Sequence, residues 1–71
     1  MQSKEPLKSI KTVYRKRLEE AFKEDPEYFP HWIIGTAKEI ATSPYYSPTA
    51  RANAIRGFFM AYDEMLKERL L

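Results

Sequence analysis

The sequence has no cysteine, one histidine and two glycines among its 71 residues. Without cysteine, neither a disulfide framework nor a thiolate metal site can form. The single histidine, His31, stands outside any metal-ligand or nucleophile-base motif. Gly35 and Gly57 are too far apart to build a glycine-rich phosphate loop or a dinucleotide fingerprint. The sequence therefore predicts a protein that is not an enzyme and that uses no metal and no cofactor.

Long apolar runs are also missing from the chain. No stretch reaches the roughly 18 apolar residues that cross a membrane, and the polar start does not resemble an apolar leader. From these features we expect a cytoplasmic protein that does not contact a membrane. The hydrophobic content of 44% is ordinary for a folded domain despite the 31% of charged residues. We therefore expect residues 1–71 to form one small domain, with residues 1–4 disordered.

The spacing of apolar residues has the period of helices and nowhere that of strands. Pro30 is placed to open a helix, and Ser47 followed by Pro48 supplies an N-cap and a proline at the first helical position. The sequence therefore predicts an all-α fold, a compact three-helix domain, with helices over residues 5–23, 30–42 and 48–70.

Each helix has an apolar stripe from which a core can be built. The stripes are Leu7, Ile10, Tyr14, Leu18, Ala21 and Phe22 in the first helix, Ile33, Ala37, Ile40 and Ala41 beside Trp32 in the second, and Ala50, Ala54, Phe58, Ala61 and Met65 in the third. Gly35 and Gly57 are predicted to let another backbone approach closely. Because the third helix has apolar residues on more than one face, a homodimer is suggested, with a compact monomeric bundle as the alternative.

The net charge of +2 is small, but the basic residues gather in the first helix ahead of an acidic stretch. This predicts a polarised surface rather than a uniformly basic one. The basic residues are Lys4, Lys8, Lys11, Arg15, Lys16 and Arg17, and they are followed by Glu19, Glu20, Glu24, Asp25 and Glu27.

The region from Ala37 to Ala41, followed by a break and then by Ser47 to Ala50, resembles the two halves of a helix-turn-helix. The resemblance implies that the third helix presents its first residues to a DNA groove. There Asn53 and Arg56 have the side chains best suited to base contacts, and Thr49 shares their face. The residues expected to reach phosphate are Arg51, Lys8, Lys11, Arg15, Lys16 and Arg17.

A second resemblance spans eighteen residues in the same region. Its residues, Pro44-Tyr45, Arg51, Ile55, Gly57, Phe58 and Ala61, are spaced like the Pro-Tyr, Arg, Gly-Trp, Ala pattern of ribosome modulation factors, although one characteristic tryptophan is missing. It implies a helix-loop-helix that binds ribosomal RNA through basic and aromatic residues. The matching candidates are Arg51, Arg56, Tyr45 and Tyr46.

Two hypotheses of function follow. The preferred one is a small regulatory protein that binds DNA or RNA through the third helix and the basic first helix, with Arg51 and Arg56 both exposed. The alternative is a protein-interaction module, a small adaptor or inhibitor that binds a partner protein through exposed aromatic residues. Its interface candidates are Tyr45, Tyr46 and Phe59.

Overall fold

The structure is a computed structural model that describes the backbone of residues 5–71 and the side chains of residues 8–71. It consists of three helices, α1 (Glu5–Glu24), α2 (Phe29–Thr42) and α3 (Pro48–Lys67), and the described residues contain no strand. The predicted all-α, compact three-helix domain is confirmed. The predicted disorder of residues 1–4 and the predicted core position of Leu7 lie outside what the structure describes.

The start of α3 agrees with the cap predicted from the sequence. The Ser47 hydroxyl accepts a hydrogen bond from the Ala50 amide at 3.1 Å, and Pro48 occupies the first helical position. The cap satisfies one of the amides that a helix start leaves unpaired, and proline has no amide to leave unpaired. At α2 the helix begins one residue earlier than predicted, at Phe29, without a side-chain cap.

The end of α3 differs from the prediction because the helix stops at Lys67, three residues early. Arg69 adopts a left-handed backbone conformation with a φ of 60°. The Arg69 amide donates to the Leu66 carbonyl at 3.1 Å, and the Leu70 amide donates to the Met65 carbonyl at 3.0 Å. This pair of hydrogen bonds is the Schellman ending, for which glycine is the usual residue. Because position 69 is an arginine and not a glycine, the sequence did not indicate this helix ending.

The core forms where α1 and α3 meet, and α2 packs mainly on α3. Its buried residues are Tyr14, Leu18, Phe29, Ile40, Ala54, Phe58, Ala61 and Met65. Phe58 lies at the centre, edge-on to Tyr14 with ring centroids 5.4 Å apart and tilted against Trp32 at 6.2 Å. On α2 the predicted stripe is shifted by part of a turn, because Ala41 is exposed while Thr36 is buried.

The two glycines have different surroundings. A Cβ atom on Gly57 would lie 2.5 Å from Cγ2 of Ile10 and 3.2 Å from the backbone nitrogen of Lys11. Gly57 therefore allows the close approach of α1 and α3, as predicted. A Cβ on Gly35 would meet nothing within 4 Å. The prediction that Gly35 admits a neighbouring backbone is wrong, because that side of α2 faces solvent.

Candidate binding groove

An open groove of about 560 Å³ lies between α1 and the N-terminal half of α3. Its lining is mostly apolar, with polar groups from α1, α3 and the turn that precedes α3. The lining residues are Ser9, Ile10, Val13, Tyr14, Arg17, Tyr46, Ala50, Asn53 and Ala54. The Val13 side chain is 57% exposed in this groove. We call this feature the α1–α3 groove.

The polar groups of the α1–α3 groove combine hydrogen-bonding groups with one cation. The Arg17 guanidinium lies 5.7 Å from the centre of the Tyr14 ring, a distance that permits a cation–π contact. Burial, with Tyr46 nearby as a smaller cause, raises the pKa of the Tyr14 phenol above its ordinary value. The phenol is therefore protonated at neutral pH and can donate a hydrogen bond. Among the side chains that the structure describes, residues 8–71, none that lines the groove is acidic.

The turn between α2 and α3 is held in place by Arg51. Its guanidinium donates to the carbonyl of Ser43 at 2.9 Å and to that of Tyr46 at 2.8 Å. The expectation that Arg51 is exposed is wrong, because the side chain is only partly exposed and turns back to donate to carbonyl groups of the turn between α2 and α3. In this turn Tyr45 is 90% exposed, while Tyr46 borders the α1–α3 groove.

Two basic residues of α1 that were expected to reach phosphate form ion pairs with α3. Arg15 donates to Glu64 and to Glu68, both at 2.9 Å, and Lys11 also pairs with Glu64. These contacts raise the pKa of Arg15 and lower the pKa values of Glu64 and Glu68. Because these carboxylates largely neutralise the positive charges of Lys11 and Arg15, the two residues should attract a phosphate less strongly than the sequence predicted.

The remaining candidates lie on separate surfaces. Lys8 and Lys16 are exposed on α1, and Thr49 and Arg56 are exposed on α3, outside the α1–α3 groove. In the groove the structure brings together three of the predicted residues, Asn53, Tyr46 and Arg17. On α1, Ser9 and Val13 precede Arg17 at intervals of four residues, so that this helical face could have been identified from the sequence, but not what lies opposite it.

Phe59 is 44% exposed, as predicted, and packs edge-on against Phe58 with ring centroids 5.3 Å apart. Neither Phe59 nor the neighbouring Met60 borders the α1–α3 groove. The interface candidates Tyr45, Tyr46 and Phe59 therefore lie in two places. The two tyrosines belong to the turn before α3, and Phe59 belongs to the middle of that helix.

The residues that carry the resemblance to ribosome modulation factors mostly have structural roles here. Arg51 holds the turn, Gly57 contacts α1 and Ala61 is buried. Tyr45, by contrast, is 90% exposed. Comparison of the chain with family models, curated proteins and solved structures gives no match. The function must therefore be argued from the geometry.

Along residues 5–71, none of the three helices is long and apolar enough to cross a membrane. Among the side chains of residues 8–71, no three histidine, cysteine or carboxylate groups come close enough together to hold a metal ion.

Proposed function

We propose that the protein is a small regulatory protein without enzymatic activity that binds single-stranded nucleic acid, RNA above all, in the α1–α3 groove. The observation that carries this proposal is the meeting of Asn53, Tyr46 and Arg17 around an apolar floor. The volume of about 560 Å³ is in the range of pockets that hold small ligands, so that one unpaired nucleotide fits.

Each polar group has a function in such a complex. The side-chain amide of Asn53 both donates and accepts, as the edge of a base requires. The Tyr46 ring offers a face on which a base can stack, and the exposed ring of Tyr45 offers a second one. Arg17 supplies a positive charge for the phosphate that links the two stacked nucleotides.

A concave groove favours a single strand over a duplex. The major groove of a DNA duplex is read by a protruding helix, and that of an RNA duplex is too deep and narrow for side chains to read. The exposed side of α3 is poorly suited to inserting into a DNA groove, because Arg51 is turned inward and Asp63 stands among the exposed side chains. An unpaired base, by contrast, can leave the strand and enter a pocket.

The test is an anisotropy titration with short labelled single strands of oligo(A) and oligo(U) RNA and with an RNA duplex, at about 50 and 200 mM salt. We expect single strands to bind with a marked loss of affinity at the higher salt concentration. Oligo(A) should bind more tightly than oligo(U), because asparagine pairs best with adenine. Equal or tighter binding of the duplex would contradict the proposed use of the groove.

Two substitutions with the same change of charge show whether the groove is the site. Arg17→Glu removes the cation from the groove, and Lys38→Glu makes the matching change on α2, outside it. We expect Arg17→Glu to weaken binding by about tenfold or more and Lys38→Glu to change it little. Equal losses in the two variants would show that only the overall charge matters.

Tyr45→Ala tests the stacking face separately. Because the ring is 90% exposed, its removal should leave the unfolding temperature unchanged. The affinity for single strands should fall by about tenfold, since stacking of a base on an aromatic ring contributes about 1–3 kcal/mol. Unchanged affinity would show that Tyr45 is not part of the site. The role of the groove would then depend on the comparison of Arg17→Glu with Lys38→Glu.

A protein partner is the second candidate, and the exposure of Val13 favours it. An apolar side chain in an open groove can receive the apolar face of an amphipathic helix from another protein. Absence of nucleic-acid binding at about 50 mM salt would favour this candidate. Val13→Asp should then abolish capture of the partner, whereas the Lys38→Glu control should not.

A further inference from the structure

One face of α3 points away from both other helices and carries an unusual combination of residues. Phe59 and Met60, 44% and 42% exposed, lie next to each other in the middle of the helix. Arg56 and Asp63 lie one turn before and one turn after them, both exposed. We call these four residues the outer face of α3. These two large apolar side chains form a small apolar patch that a second molecule could cover.

The charges of the outer face are arranged so that it complements itself. Arg56 precedes Phe59 by three residues, and Asp63 follows Met60 by three residues. When two copies of α3 lie antiparallel about a two-fold axis between Phe59 and Met60, Arg56 of each copy lies opposite Asp63 of its partner. A two-fold interface needs this property, because residue i must contact residue j while j contacts i.

The next residues along the helix fit the same axis. Ala52 stands seven residues before Phe59, and Lys67 stands seven residues after Met60, so the two-fold axis sets them opposite each other. The small side chain of Ala52 leaves room for the long side chain of Lys67 from the other copy. The arrangement thus places two apolar residues at the centre and an opposite-charge pair on either side of it.

Both charged residues of the outer face are available for such pairs. Among the described side chains, Arg56 has no ion-pair partner. Asp63 pairs only with Lys67 at 3.1 Å, and both side chains of that pair are more than half exposed. Exposed pairs of this kind contribute little, so that Asp63 can exchange its partner at small cost.

We propose that the outer face of α3 is the interface of a homodimer, in which two copies pair antiparallel with Phe59 and Met60 at the centre and with two Arg56–Asp63 ion pairs between the copies. The interface leaves the α1–α3 groove open, because neither Phe59 nor Met60 borders it. The proposal is therefore independent of the nucleic acid or protein that the groove binds.

The test is sedimentation equilibrium of the wild-type chain over about 1 µM to 1 mM, with charge-reversal variants alongside. Arg56→Asp sets two aspartates opposite each other at each of the two ion-pair sites, and Asp63→Arg sets two arginines there. We expect each variant alone to dimerise at least about tenfold more weakly than the wild type, because like charges across an interface repel.

The decisive sample is an equimolar mixture of the two variants. In a mixed dimer, both residues of one copy are acidic and both residues of the other are basic, so that both ion pairs are restored. We expect the mixture to associate as strongly as the wild type, and the double variant R56D/D63R to recover dimerisation as well. A structural defect in either variant could not be repaired by mixing, and circular dichroism would show it directly.

Phe59→Ser tests the apolar centre of the same interface. We expect it to weaken the dimer without changing the ion pairs, because the ring would lose the partner that covers it. A wild-type chain that is monomeric over the whole concentration range would overturn the proposal. So would a wild-type dimer that both single charge reversals leave intact, because its interface would then lie elsewhere.

Discussion

At the scale of single residues, Gly57 and Gly35 form a natural matched pair. Both have ordinary helical backbone angles, but one lies against α1 and the other faces solvent. We expect Gly57→Ala to lower the free energy of unfolding by about 1–3 kcal/mol, because the added methyl group would collide with Ile10 and with the backbone at Lys11. Urea unfolding measured by circular dichroism gives this value.

Gly35→Ala is the control for that experiment. It makes the same chemical change within a helix, where the new methyl group meets nothing. The free energy of unfolding should rise by about 0.5–1 kcal/mol, because alanine loses less backbone entropy than glycine in a helix. If both variants were equally stable, the close contact at Gly57 would not exist in solution.

The sequence could not separate these two residues. Each glycine interrupts a helical pattern in the same way, and both were predicted to let another backbone approach closely. What separates them is the path of α1, which passes Gly57 and stays away from Gly35. The same limit applies to Arg51, which was expected to be exposed because an arginine at a helix start usually is. Its acceptors, the carbonyls of Ser43 and Tyr46, have no signature in the sequence.

At the scale of elements, Arg51 connects the end of α2 to the beginning of α3. We expect Arg51→Ala to lower the free energy of unfolding by about 1–3 kcal/mol, since two carbonyl groups would lose a charged donor. Lys38→Ala provides the comparison, because that long basic side chain is exposed on α2 and its removal should change stability by less than about 0.5 kcal/mol. Thermal and urea unfolding measure both values. Equal effects in the two variants would contradict the structural role of Arg51.

The elements themselves were largely predictable, because helix signals are local. The Ser47 cap, the proline after it and the apolar period fix where α3 begins and which face it buries. Its end was predicted too late because Leu66 and Leu70 continue the helical spacing, while the chain already reverses at Arg69. The reversal requires a left-handed residue, and nothing in an arginine indicates that conformation.

At the scale of the whole molecule, the ion pairs between α1 and α3 make stability depend on pH. Lys11 and then Arg15 lower the pKa of Glu64, and Arg15 lowers that of Glu68. A carboxylate whose pKa is lower in the folded state stabilises the fold above its ordinary pKa of 4.5, and the contribution is lost as the pH falls through the lowered value. Acid should therefore weaken the attachment of α1 to α3.

The measurement is the unfolding temperature between about pH 6 and pH 3, compared with that of the double variant Glu64→Gln, Glu68→Gln. The wild type should lose more stability over this range than the variant, which has no carboxylate to protonate at these two positions. Added salt should reduce the difference, since all these side chains are partly exposed. Parallel pH profiles would mean that the ion pairs contribute nothing.

The site was only partly predictable because it is assembled from distant parts of the chain. Asn53 and Tyr46 were selected for their chemistry, and both line the α1–α3 groove. Val13 and Tyr14 complete the groove from about forty residues away in the sequence, a distance over which local spacing carries no information. For the same reason Lys11 and Arg15 were predicted to contact phosphate, whereas both pair with Glu64, which lies about fifty residues further along the chain.

The contact of Gly57 with Ile10 also constrains how this chain can change over generations. A methyl group gained at 57 would collide with Ile10 and also with the backbone at Lys11, so that a smaller residue at 10 would relieve only part of the clash. Homologous sequences should therefore keep glycine at position 57. A distant homologue would retain this glycine after its overall sequence identity had fallen.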